Sequence, residues 1–178
     1  MKEKKKIKSL TLIAICIALC VVLPLAFHMI PNGGNVFLPM HIPVLLCGLI
    51  CGYIAGGMCG LVGPLLSCLL TGMPTLAFLP FMMVECAVYG LVSGLMLKNH
   101  KDSKAIVYIA LVVAMISGRV VSGIVKAIVY GSSYSLNAWL TASFVTALPG
   151  IIIQLALVPT IIFLLRKANI IPDFRSFA

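Results

Sequence analysis

Apolar positions in this chain do not alternate with polar ones as in a half-buried strand. They gather into six long runs parted by short polar or turn-rich breaks. A helix rises about 1.5 Å per residue, so about 20 apolar residues cross the hydrocarbon of a bilayer. By that measure residues 9–29, 37–53, 56–71, 75–97, 105–131 and 139–165 are each expected to form a span. The breaks carry helix-ending residues: Ile30-Pro31-Asn32-Gly33-Gly34-Asn35, a short Gly-rich turn between the second and third runs, Gly72-Met73-Pro74, and Ser132-Ser133-Tyr134-Ser135-Leu136-Asn137. The first run is too long for the apolar core of a signal peptide, and no small-x-small cleavage pattern follows it, so it reads as an uncleaved first span. The expected fold class is an all-α membrane protein with six transmembrane helices, a single integral-membrane domain over residues 1–178.

Composition points to the same solvent. Apolar residues make up 62% of the chain and charged ones 10%, with mean hydropathy +1.18. An ordinary globular domain has about 45–50% apolar and about 25% charged residues. A soluble chain of 178 residues has too little interior to hide this much apolar surface.

The net charge of +9 would suit a nucleic-acid binder, but the charges are placed wrongly for one. Lys2, Lys4, Lys5, Lys6 and Lys8 crowd the N-terminus, Lys98, Lys101 and Lys104 share one loop, and Arg166, Lys167 and Arg175 lie near the C-terminus. No basic face with interleaved aromatics exists to follow a phosphate backbone. Six spans instead put these eleven of the thirteen basic residues on one side, and the three breaks on the other side carry none. The positive-inside rule then makes both termini cytoplasmic, with the lipid bilayer rather than nucleic acid as the partner of the basic ends. Five spans would put one terminus on the wrong side. The expected location is the plasma membrane, multi-pass.

Seven cysteines (Cys16, Cys20, Cys47, Cys51, Cys59, Cys68 and Cys86) all fall inside apolar runs and form no C-x-x-C pair, so they read as packing residues rather than disulfides or metal ligands. Gly52, Gly56 and Gly60 recur every four residues, as do Gly90 and Gly94, and such small-residue rows predict close helix packing.

Three ionisable residues stand inside the runs: Glu85, Arg119 and Lys126. A charge at mid-bilayer costs about 2.5–3.5 kcal/mol on insertion scales, so each needs a partner or a wet cavity. Glu85 and Arg119 fall near the midpoints of their runs and are expected to meet, either as a structural pair or as ligand contacts. Arg119, Ser122, Lys126 and Tyr130 make one helical stripe, with Lys126 about two turns nearer the outside. Ser143, Thr146, Gly150 and Gln154 make a facing stripe, while Met40, His41 and His28 lie near outer ends. The expected site is an outward-opening polar cavity roofed by residues 31–36. Its candidate binding residues are Asn35, Met40, His41, Glu85, Arg119, Lys126, Asn137 and Gln154.

Catalysis finds no support. No aspartate stands in a run to form a carboxylate dyad, no Gly-x-Ser-x-Gly elbow supports Ser67 with His41, and there is no P-loop. No cofactor or metal is expected, and the chain should bind, conduct or transport rather than act as an enzyme.

These features together resemble a known family. They are the basic N-terminus, the six short spans, Ala14-x-x-x-Ala18 in the first, Phe37-Leu38-Pro39-Met40-His41-Ile42-Pro43 leading into the second, the Gly-rich turn after it, and Ser117-Gly118-Arg119 in the fifth. Over essentially its whole length the chain resembles the substrate-binding (S) components of energy-coupling factor (ECF) vitamin transporters. The resemblance implies a ligand held in the outer half, under the loop joining spans one and two. It also implies a coupling membrane protein and two ATPase subunits as partners, on which the S component docks and topples. Ala14 and Ala18 would form the docking face, since small side chains let a partner helix approach.

Arg119, Lys126 and His41 against one Glu85 favour a ligand with an anionic group. Pantothenate fits best, with a hydroxymethylpyrimidine, a pyridoxine-like ring or a cobalamin precursor remaining open. A small proton-coupled transporter using Glu85 is the alternative, although such proteins usually carry repeats and none is evident here.

Overall fold

The computed structural model describes residues 2–27, 30, 33–98, 104–131, 134–168 and 170–171. His28, Lys101 and Arg175 lie outside them. The described chain is helical: α1 (Lys2–Ala26), α2 (Gly33–Phe37), α3 (His41–Cys51), α4 (Tyr53–Thr71), α5 (Leu79–Lys98), α6 (Lys104–Tyr130), α7 (Leu136–Leu140), a π-helical segment (Thr141–Thr146) and α8 (Leu148–Lys167). Six stretches are long and apolar enough to span a membrane, with α2 and α3 together making the second. Six crossings put the start of α1 and the end of α8 at one end of the bundle, here the terminal end.

Four boundaries differ from the expected ones, each for a local reason. The second span is two helices, because Leu38 turns the chain with a φ of 51° between α2 and α3. The third span begins at Tyr53 rather than at residue 56, because one residue, Gly52, makes the whole turn. Its φ of 93° and ψ of 170° are open to glycine and strained for any residue with a Cβ. Gly52 therefore serves the turn and not the packing row.

The fourth span begins at Leu79 rather than at residue 75. Phe78 and Leu79 first close a turn by donating their N–H groups to the Thr75 carbonyl, at 2.9 and 3.0 Å, and Pro80 then occupies the first turn of α5, where its missing N–H costs nothing. The sixth span is interrupted. Ser135 caps α7 by accepting from the Ala138 N–H at 3.4 Å. Pro149 cannot donate to residue 145 and crowds its carbonyl, so an α-helical ladder cannot run through this stretch, and the π segment intervenes.

Packing is tightest where α3, α4 and α5 meet, toward the terminal end. A Cβ on Gly56 would stand 2.5 Å from both the Gly48 Cα and the Gly90 carbonyl oxygen. One on Gly60 would strike the Cys86 carbonyl, and one on Gly90 would strike the Gly56 carbonyl. These helices touch backbone to backbone, which matters in lipid because apolar burial drives little helix association there. All seven cysteines are buried and unbridged. Large side chains such as Leu69, Leu70 and Ile128 face outward, where lipid would cover them. On α1, Cys16 and Cys20 turn toward the core while Ala14 and Ala18 remain exposed.

Candidate functional site

Away from the glycine contacts the bundle opens into a cavity of about 670 Å³ at the end opposite the termini. Its wall takes residues from α1, α2, the Leu38–His41 hinge, the Met73–Phe78 turn, α5, α6 and the π segment. The helices cannot close this space because three of them are broken or end there: α2 stops at Phe37, α4 at Thr71, and the sixth span changes pitch at residues 141–146.

At the floor stands Glu85, six residues into α5. The late start of that helix therefore places it nearer the cavity mouth than a midpoint would. Three groups converge on its Oε1. The Tyr89 hydroxyl donates at 3.3 Å, His41 Nε2 lies at 3.6 Å and Arg119 Nε at 4.0 Å. His41 is the first residue of α3, and the Leu38 turn sets its ring against the Glu85 face. Tyr89 lies one helical turn beyond Glu85, on the same face. Its ring packs 5.0 Å from the His41 ring and fills the space beside Gly118, where a Cβ would collide with it. Gly118 thus makes room for Tyr89 directly beside Arg119.

Arg119 is 3% exposed, and its guanidinium carbon lies 5.6 Å from the Phe144 ring centre. Among the described residues neither Arg119 Nη2 nor His41 Nδ1 has a hydrogen-bond partner, although both atoms are buried. Lys126 stands higher on α6, with its Nζ 5.9 Å from the Phe81 ring centre. Ser122, between the two cations, donates to the Phe81 carbonyl at 3.5 Å and ties α6 to α5 at this level. At the rim Tyr130 packs on Phe81 and Tyr134 stacks on Tyr130. Desolvation, and after it the negative charge of Glu85, raises the Tyr134 phenol above its ordinary value.

Six of the eight candidate binding residues line the cavity: Asn35, Met40, His41, Glu85, Arg119 and Lys126. Two do not. Gln154 is buried beneath the hinge and donates its Nε2 to the Leu38 carbonyl at 3.5 Å. Gly150, one turn earlier on α8, lets Val36 and Phe37 approach so closely that a Cβ would lie 2.7 Å from the Val36 carbonyl oxygen. Gln154 therefore holds the hinge, and Asn137 is exposed on α7, away from the cavity wall. The Arg119–Glu85 contact is long for a pair and is shared with His41 and Tyr89.

Sequence reasoning missed Tyr89, Phe81 and Phe144. Only Tyr89 left a usable signal, its four-residue spacing from an acid inside an apolar helix. Among the described residues no group of three or more His, Cys, Asp or Glu side chains is arranged to hold a metal ion. What the arrangement can do is hold a polar molecule between one carboxylate and two cations, Arg119 and Lys126, in a ring-lined chamber.

A family model described as "ECF transporter, substrate-specific component" matches residues 8–162. A comparison with curated proteins found no match.

Proposed function

The chain belongs to the family of substrate-specific components of ECF transporters, and on that premise we propose that it captures an anionic, vitamin-sized molecule in the cavity beneath α2. Members of this family are integral membrane subunits that partner with the ECF transporter module. Their energy comes from that module, which accords with the lack of a P-loop in this chain.

The observation that carries the ligand reading is Lys126. It lines the cavity, and among the described residues its ammonium has an aromatic face, Phe81, beside it and no carboxylate in ion-pair contact. A cation set in that way is ready for an anionic group of a ligand. The volume of about 670 Å³ lies in the range that holds drug-sized ligands. It favours pantothenate, a hydroxymethylpyrimidine or a pyridoxine-like ring over a corrinoid, and the surplus of cations favours pantothenate among these. With both termini cytoplasmic by the distribution of lysine and arginine, the cavity opens outward, as uptake requires. A carboxylate that accepts from Tyr89 and has His41 and Arg119 beside it is held toward its charged form, which weighs against the proton-coupled alternative.

The partners are a coupling membrane protein and two ATPase subunits, docked on the exposed Ala14/Ala18 face of α1. Ala18→Trp, made alone and with Ala14→Trp, tests this. ATP-driven uptake of labelled pantothenate into vesicles holding the whole complex should fall to background. Pantothenate binding to the isolated subunit should stay within about twofold of the parent protein. Normal uptake by the Trp variants would remove the docking face from the account.

A further inference from the structure

The polar contacts of Glu85 are lopsided. Tyr89, His41 and Arg119 all approach Oε1, whereas a carboxylate has about four acceptor sites over two oxygens. The exposures are also unequal. The Glu85 side chain keeps 15% of its surface, against 2% for His41 and 4% for Arg119. His41 and Arg119, which flank Glu85 Oε1, are thus sealed in the wall, and Arg119 Nη2, which has no hydrogen-bond partner among the described residues, is buried as well. The group at the floor left most open to the cavity is the acid.

From this we infer that Glu85, through Oε2, accepts a hydrogen bond from the inner end of the ligand, while Lys126 holds an anionic group at its outer end. The inference rests on the reading of the cavity as the substrate site and narrows it to a class. The molecule carries an N–H or O–H donor at one end and a carboxylate or phosphate at the other. Two helix measures set the separation. Lys126 sits over Phe81, one turn of α5 from Glu85, and it lies two turns along α6 from Arg119. The four residues from Phe81 to Glu85 and the seven from Arg119 to Lys126 correspond to rises of about 6 Å and about 10 Å. The rest of the wall is mainly apolar, with Phe78, Met82 and Met40 among its residues and Ser143 and Thr146 among its hydroxyls, so the middle of the ligand needs few polar groups.

His41, Arg119 and Tyr89 are positioning residues in this scheme. Tyr89 donates to Oε1, and His41 and Arg119 stand beside the same oxygen, so that among the described residues Oε2 is left without a protein contact and available to the ligand. A ligand lacking the donor would leave a buried carboxylate oxygen unpaired, and that loss is larger than the gain of making the bond.

Thermal stabilisation of the purified, detergent-solubilised protein by four probes tests the assignment. Pantothenate and biotin have both ends: hydroxyl or ureido N–H donors, and a carboxylate. Panthenol keeps the donors without the carboxylate, and lipoate keeps a carboxylate without the donors. At least one two-ended probe should raise the melting temperature and bind at least tenfold tighter than its one-ended counterpart. Glu85→Gln should weaken that probe by about tenfold or more and narrow its advantage over lipoate. Lys126→Ala should narrow its advantage over panthenol instead. Tyr89→Phe should narrow the advantage over lipoate several-fold, a change of selectivity between ligands that a merely structural tyrosine would not cause.

Stabilisation by lipoate as strong as by biotin, full binding in Glu85→Gln, or no stabilisation by either two-ended probe would each overturn the assignment. Should Glu85→Gln fail to fold, Tyr89→Phe with the same four probes decides it. None of these results touches the family role, whose failure would show separately as loss of assembly between the unaltered chain and the ATPase-bearing module.

Discussion

The two ends of this bundle are built by opposite rules. Toward the terminal end, α3, α4 and α5 meet through Gly48, Gly56, Gly60 and Gly90, and almost nothing lies between their backbones. At the cavity end α1, α2, α5, α6 and the π segment stand around open space, with large side chains in its wall (Phe81 and Met82) or packed beside its polar floor (Tyr89 and Phe144). The first region gains its stability from dispersion contacts of backbone on backbone and has no room for a new atom. The second contains broken helices, a left-handed leucine and, among the described residues, buried polar atoms without hydrogen-bond partners. Close backbone contact is concentrated toward the terminal end, and irregular backbone around the cavity.

Breaking the rigid half should have the largest effect. Gly90→Leu drives a side chain into the Gly56 carbonyl, which is backbone and cannot swing aside. The expected loss is about 3 kcal/mol or more, seen as a large fall in the melting temperature of the detergent-solubilised protein. A melting curve like that of the parent would mean that the close contact can relax and that the contrast between the two ends is false.

An intermediate effect is expected at the floor of the cavity, where the halves meet. Arg119→Met leaves Glu85 with His41 and Tyr89 still in contact. The cost should therefore fall below that of a fully broken buried pair, at about 2–3 kcal/mol. Glu85→Gln should cost a similar amount by leaving the cations unneutralised. The double variant should lose clearly less than the sum, with coupling of about 1 kcal/mol. Simple additivity in thermal unfolding without ligand would show that the 4.0 Å contact carries no energy.

The smallest effect belongs to the irregular half. A Cβ on Gly34, in the short helix α2 over the cavity, would meet nothing within 4 Å. Gly34→Ala should leave the melting temperature unchanged or slightly raised, since alanine favours a helix over glycine by up to about 1 kcal/mol. The same glycine-to-larger change would thus be severe at one end of the molecule and harmless at the other. A large loss from Gly34→Ala would show that α2 packs far more tightly than its exposed Gly34 and Asn35 suggest.

Much of the site was legible before the fold was seen. Charged residues are so costly in lipid that Glu85, Arg119 and Lys126 marked themselves, and counting residues from the ends of each run placed Glu85 and Arg119 at similar depth. Depth, however, says nothing about rotation around a helix axis relative to its neighbours. Gln154 has the right depth and faces the hinge, where it donates to the Leu38 carbonyl instead of lining the cavity. Asn137 belongs to a polar outer stretch and still lies away from the cavity wall. Tyr89 and Phe144 passed unnoticed because an aromatic residue in an apolar run is unremarkable until a partner is seen beside it.

Three properties follow from the amino-acid sequence alone: six crossings, the shared side of the basic ends, and a polar cluster that cannot face lipid. They follow because hydrocarbon penalises every misplaced charge and every unpaired backbone group heavily enough for local composition to decide them. The tertiary structure alone decided which oxygen of Glu85 the wall approaches, and which glycines meet a neighbouring backbone. Those outcomes depend on distances of a few tenths of an ångström between segments far apart in the chain. At that scale the fit between particular side chains decides, and no pattern within one segment encodes it.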